Sequence, residues 1–162
     1  MTTIALQPAA VADIWHHLRQ IPDPELPMLS VTDLGMIRAV NAVTTGWQVV
    51  LTPTYSGCPA TTFLQAEIRQ RLQQAGYEVE VVISLSPAWS SDWIAPAARQ
   101  RLRDSGIAPP EGACGLAPPA QVTCPRCGSQ HTEAISEFGS TACKALYRCL
   151  QCHEPFDYFK CI

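Results

Sequence analysis

Val11, Ile14, Trp15 and Leu18 recur at i, i+3, i+4 and i+7 in PAAVADIWHHLRQI, one stripe of an amphipathic helix. The prolines of the following PDPELPML end that helix. MIRAVNAV, WQVVLTP and YEVEVVIS are short, rich in Val and Ile and partly alternating, so they read as strands. TTG joins the first two as a hairpin turn. Between the second and third runs ATTFLQAEIRQRLQQAG, whose apolar face is Phe63, Leu64, Ile68, Leu72 and Ala75 and whose stop is Gly76. SPAWSSDW then opens a further helix, DWIAPAARQRLRDSG, with Ser90 or Ser91 as its cap.

The order helix, two strands, helix, strand, helix predicts an α+β fold. It is a small three- to four-stranded sheet with helices on one face, over residues 1–107. IAPPEGACGLAPPAQ breaks every pattern and carries almost no charge, so residues 108–121 read as a linker. The boundary falls between Ile107 and Val122, and residues 122–162 form a second, zinc-ribbon-like β domain.

Composition narrows the classes. Of the 162 residues 47% are apolar, enough for a real core. The net charge of -3, with the seven basic residues before Cys114 all arginines and scattered, argues against a nucleic-acid binder. No apolar run reaches the ~20 residues of a membrane helix, and MTTIALQPAAVADIW lacks the basic start of a signal peptide. The expected compartment is the cytoplasm, where thiols stay reduced. Eight cysteines there point to metal or redox chemistry rather than disulfides.

CPRC (Cys124, Cys127) and CLQC (Cys149, Cys152) are separated by 21 residues, the spacing of a four-cysteine structural site. Each pair makes a knuckle with both sulfurs toward one ion, and the residues between can form a hairpin that brings the knuckles together. About 40 residues are too few for an independent core, so the metal would supply much of the folding energy. Zinc suits four thiolates; iron or a cluster uses the same ligands. Cys143 and Cys161 are accessory thiols with three options: buried fillers, competitors for the metal, or partners when oxidised. His131 and His153 lie near the knuckles but outside a closed four-thiolate site, and Phe156, Tyr158 and Phe159 read as its hydrophobic cover.

Cys58 stands apart in TPTYSGCPATT. Pro59 fits the first position of a helix, which makes Cys58 its N-cap. There the helix dipole and unpaired N–H groups would lower the thiol pKa. Gly57 would allow a sharp turn and leave the sulfur uncrowded. The bland alternative is a buried thiol filling space under the helix. No base is placed for a cysteine protease, no second cysteine for a redox pair, and there is no Walker A or G-x-G-x-x-G. One thiolate alone cannot hold a cluster; two copies in a homodimer, or Cys58 with acidic ligands, can. Asp23, Glu25 and Asp33 lie in a proline-constrained loop, and on composition the turn-and-capping reading is favoured over a functional one.

DPELP, VTDLGMIRAV, a hairpin and LTPTYSGCPAT, in that order, resemble the MIP18 (DUF59) family of small α+β domains. The resemblance implies a role in iron–sulfur assembly or cluster delivery. It places the family's reactive cysteine on Cys58 and its acidic motif on Asp23, Pro24 and Glu25. SPAWSSDWIAPAARQRLRDSGIAPP and the cysteine-rich tail extend the likeness to the PaaD family of bacterial phenylacetate degradation, where a MIP18-like domain carries a four-cysteine appendage. This implies an accessory protein of the phenylacetyl-CoA 1,2-epoxidase system, a multicomponent di-iron oxygenase with an iron–sulfur flavin reductase. The implied partners are the oxygenase or reductase components and the iron–sulfur assembly machinery. The implied cofactors are a structural zinc and a labile cluster. With no pair of E-x-x-H motifs and no flavin fingerprint, the chain is read as no enzyme itself. The competing reading is a non-catalytic interaction subunit with a structural zinc tail.

Overall fold

The computed structural model describes residues 8–114 and 121–162. Packing divides the chain into two compact units, Met1–Ala88 and Trp89–Ile162.

In the first unit, α1 (Pro8–Leu18) turns its Ile14 and Leu18 inward. Strands β1 (Ile37–Val43) and β2 (Gly46–Leu51) form the antiparallel hairpin. Helix α2 (Ala60–Gln74) then crosses to β3 (Val79–Ile83), which pairs parallel to β2, giving a three-stranded sheet in the order β1-β2-β3. Gly46 sits at φ +137°, and a Cβ there would meet Glu78 O at 2.4 Å, so this turn requires glycine.

The buried stripe of α2 is Ala60, Leu64, Ile68 and Leu72, an unbroken i, i+4 series. Phe63 departs from the apolar face that the sequence predicts: it lies one position off the stripe and is 55% exposed, and Ala75 is exposed too. We therefore expect Ile68→Ala to destabilise the unit by about 2–5 kcal/mol and Phe63→Ala by no more than about 0.5 kcal/mol. Denaturant midpoints of the two variants check this.

The proline-constrained loop before β1 is part of the core. Ile21, Leu26, Leu29, Val31, Leu34 and Met36 are all essentially inaccessible. Side-chain carboxylates hold its turns. Asp23 Oδ1 accepts the N–H groups of Glu25 and Leu26, both at 2.9 Å. Asp33 Oδ2 accepts the Ser30 N–H at 2.8 Å and the Ser30 hydroxyl at 2.9 Å. The turn-and-cap reading of these acids is realised.

The second unit begins earlier than the 107/122 boundary that the composition suggests, and the reason is visible. A 3₁₀ turn at Ser91–Trp93 is capped by Ser90, whose side chain accepts the Asp92 N–H. Pro96 delays the α-helix, because the residue before a proline avoids helical dihedrals, so α3 spans only Pro96–Asp104. These elements pack on the C-terminal sheet. Buried Ser91 donates its hydroxyl to Lys160 O at 2.7 Å and accepts the Ile162 N–H at 2.9 Å. Trp89 packs on Phe159 with ring centroids 5.9 Å apart. Arg99 donates to Pro110 O at 2.7 Å and Ser91 O at 3.0 Å.

Nor is the whole 108–121 segment free of structure. Ile107–Ala108 form β4, parallel to β7 (Pro155–Phe159). With β5 (Thr132–Ser136) and β6 (Lys144–Cys149) they make a four-stranded sheet in the order β4-β7-β6-β5. Residues 115–120 of the predicted linker and residues 1–7 of the chain start read for a signal peptide lie outside the described residues.

Candidate metal centre and cysteine loop

The two knuckles are built alike. Cys124 N–H donates to Ser129 O at 2.8 Å, and Cys149 N–H to Glu154 O at 3.0 Å, five residues on in each case. The residue after each second cysteine is left-handed: Gly128 at φ 75° and His153 at φ 64°. Hairpins β5–β6 and β6–β7 carry the second knuckle onto the first, and the four sulfurs lie within 4.8 Å of one another. Cys124 and Cys152 Sγ are 3.8 Å apart, Cys127 and Cys149 Sγ 3.5 Å. A tetrahedron with metal–sulfur bonds of about 2.3 Å has edges of about 3.8 Å, so the set fits one metal ion.

The electrostatics agree with a cation. The N–H groups of Cys152 and then Gln151 help bring the Cys149 thiol down to about 6. At Cys127 the Ser129 N–H works toward the thiolate. Desolvation and the neighbouring thiols outweigh it and push that thiol up to about 12. Cys152 is also raised, its Glu154 N–H bond being outweighed by desolvation and the Cys149 and Cys124 thiols. The raised Cys127 and Cys152 thiols keep their protons more readily than Cys149, and a bound metal would displace them.

Phe156 and Tyr158 share an apolar cluster with Cys124, Cys149, Val122, Ala108 and Ala145, as the cover reading requires. Phe159 instead belongs with Trp89. His131 and His153 are exposed.

The remaining tail cysteines correct the expectation of an all-reduced chain. Cys161 is disulfide-bonded to Cys114, with Cα atoms 4.9 Å apart. Cys161 is therefore neither a metal competitor nor a partner of Cys143. Cys143 is 3% exposed, its Sγ 3.1 Å from Thr141 Oγ1, and it stands outside the four-thiol group. No spacing rule singles out Cys114; the ordered 89–114 segment, which brings it to the C-terminus, is what the sequence pattern missed.

In the first unit, Pro59 has helical dihedrals (φ -66°, ψ -22°). Cys58 precedes it, and its carbonyl accepts the Thr61 N–H at 3.2 Å. The helix starts one residue later than the sequence predicts, with Pro59 rather than Cys58 at its N-cap and no side-chain cap bond, but the half-buried Cys58 sulfur is approached by the Ala60 N–H. Its pKa departs from the expectation as well. Burial pushes the thiol up, the Ala60 N–H opposes this, and the carboxylates of Glu25 and then Asp23 push it up further. The Thr61 hydroxyl, buried without a partner of ordinary geometry, also acts on the sulfur to favour the thiolate. Nor does Gly57 supply a special turn: a Cβ there would meet only the Tyr55 ring at ordinary contact distance. The fold thus brings the acidic loop and Cys58 within electrostatic reach of each other. Replacing Glu25 with Gln removes a negative charge that acts on the sulfur. It should lower the thiol pKa and speed alkylation of Cys58 severalfold at neutral pH. Slower alkylation would contradict this geometry.

Among the described residues, no helix is long and apolar enough to cross a membrane. A small α+β domain with an acid-flanked cysteine loop, followed by a four-thiol ribbon, defines an iron–sulfur-assembly-type domain with a metal-ribbon appendage. Two family models match accordingly: "Iron-sulfur cluster assembly protein" over residues 11–85 and "PaaD zinc beta ribbon domain" over residues 109–160. The chain is 57% identical over 164 residues to an Escherichia coli (strain K12) protein provisionally named as a component of 1,2-phenylacetyl-CoA epoxidase, covering 100% of this chain and 98% of that one. It is 32% identical over 93 residues to an "Fe-S protein maturation auxiliary factor" of Porphyromonas gingivalis (strain ATCC BAA-308 / W83), covering 56% and 88%. A solved DUF59 domain from Bacillus anthracis superimposes with a TM-score of 0.55 at 25% identity, covering 59% of this chain and 93% of that one. The chain belongs to the PaaD family.

Proposed function

We propose that the protein is an accessory subunit of a phenylacetyl-CoA epoxidase system and assembles or delivers iron–sulfur clusters to its oxygenase or reductase component. The observation that carries this reading is the convergence of Cys58 with Asp23 and Glu25. Two carboxylates that raise a thiol pKa do so because they disfavour a further negative charge. The same field attracts a cation. Cys58 thus stays protonated when no cargo is present and becomes a ligand when iron displaces its proton. A half-buried single thiol holds cargo loosely, which suits transfer. Cys58 of two chains in a homodimer, or Cys58 with acidic oxygen ligands, would complete the coordination.

The four-thiol site takes zinc in this scheme and is structural, since four closed thiolates leave no open position. The chain itself performs no ring oxidation. The test is the state of the client. The iron–sulfur reductase component isolated from cells lacking this protein should carry less iron and sulfide per chain than that from the parent strain. Equal iron and sulfide in both would remove the delivery role and favour a purely structural subunit.

A further inference from the structure

The Cys114–Cys161 bond joins the two arms of chain that flank the knuckles. Cys114 stands ten residues before Cys124, and Cys161 stands nine residues after Cys152. The four thiolates therefore lie inside the loop that this bond closes. Separating the knuckles is the motion that opens the four-thiolate site. A closed bond restricts how far the arms can part, which disfavours the opened state. The six other cysteines are free, and Cys143 is buried away from this pair's bond.

Hydrogen bonds that involve neither sulfur hold both cysteines in place. Cys114 N–H donates to Asp92 Oδ1 at 3.0 Å. On the other arm, Ser91 N–H donates to Ile162 O at 3.1 Å, and Ile162 N–H donates to Ser91 Oγ at 2.9 Å. The Ser91 hydroxyl donates in turn to Lys160 O at 2.7 Å. Adjacent residues of one 3₁₀ turn thus grip Cys114 and both neighbours of Cys161. Arg99 steadies this grip, bonding Ser91 O and Pro110 O. Breaking the S–S bond leaves these contacts standing, so the two thiols stay opposed and can pair again. Both cysteines are only partly buried, which leaves them open to a small thiol or disulfide reagent.

We propose that Cys114 and Cys161 form a reversible redox lock on the four-thiolate site, closed by a low-molecular-weight disulfide and opened by the matching thiol. In closing, one cysteine thiolate attacks a sulfur of the small disulfide and expels one small thiolate. The second cysteine attacks the mixed disulfide and expels the other. Two protons leave the cysteines, and both electrons end on the small thiols. The lock does not depend on the role of Cys58. The test uses the full-length, zinc-loaded protein in buffers of reduced and oxidised glutathione. Alkylation and mass spectrometry read the fraction of closed bond, and transfer of zinc to a chromogenic chelator reads its release. The closed fraction should rise with the share of oxidised glutathione, and zinc release should be at least about tenfold slower from the closed form. Cys161→Ser should release zinc at the rate of the reduced wild type at every glutathione ratio. Oxidation of the ligand thiols themselves would speed release, the opposite direction. A bond that stays closed in reduced glutathione alone would overturn the proposal. So would equal release rates from the closed and open forms, or a Cys161→Ser chain that slows as wild type does.

Discussion

A Cys58→Ala chain will fold and will fail to support growth on phenylacetate. The folding half follows from how little the sulfur holds. It is half-buried, is approached by the Ala60 N–H at the start of α2, and lies outside the buried stripe of Ala60, Leu64, Ile68 and Leu72. Losing one weak contact to the Ala60 N–H and one half-buried sulfur atom should cost about 1 kcal/mol, well within the stability of a domain with this core. The functional half follows from the convergence of charges. With the thiol gone, Asp23 and Glu25 remain, still held in their turn by the Asp23 bonds to Glu25 N and Leu26 N. They lack the soft ligand that iron prefers. Complementation of a deletion strain measures this outcome. Full growth with the alanine variant would end the cluster-transfer mechanism.

The second large effect concerns the ribbon. Its fold is held by two devices that act together. The metal brings the knuckles together, and binding of a structural metal by four thiolates is worth about 10–16 kcal/mol near neutral pH. The Cys114–Cys161 disulfide spans 47 residues and encloses all four thiolates. Closing a loop of that length restricts the unfolded chain by about 4 kcal/mol in the chain-entropy model. Chelation alone should therefore loosen the ribbon, and chelation together with a dithiol reductant should unfold it. Reduction alone should leave it folded around its metal. Amide exchange, resolved by residue, should show β5–β7 losing protection in that order of treatments while β1–β3 keep theirs. Unchanged β5–β7 exchange after complete metal removal and reduction would contradict this joint role of metal and disulfide.

The periodic parts of the chain were readable because one force dominates each of them. The stripe Ile14 and Leu18, the β1–β2 hairpin and the i, i+4 series on α2 reflect burial against a single face. The four ligand cysteines were readable because a tetrahedral ion dictates spacing. What the sequence hid depends on contacts distant in the chain. Phe63 looks like core until the stripe is fixed by the sheet. Cys58 at a helix start suggests a lowered pKa. Its net shift is upward because burial, Glu25 and Asp23 outweigh the Ala60 N–H, and no local pattern encodes that sum. Cys114 sits in a segment whose composition resembles a linker, yet Ser91, Arg99 and β4 fix that segment to the C-terminal sheet.

Cluster transfer through Cys58 is tested most closely by anaerobic purification of wild type and Cys58→Ala in parallel, followed by zinc, iron and sulfide analysis. About one tightly held metal per chain is expected in both, from the four-thiolate site. Substoichiometric iron and sulfide are expected in wild type alone. Iron and sulfide that persist in the variant, or that wild type cannot take up on reconstitution, would contradict a cluster-carrying role for Cys58.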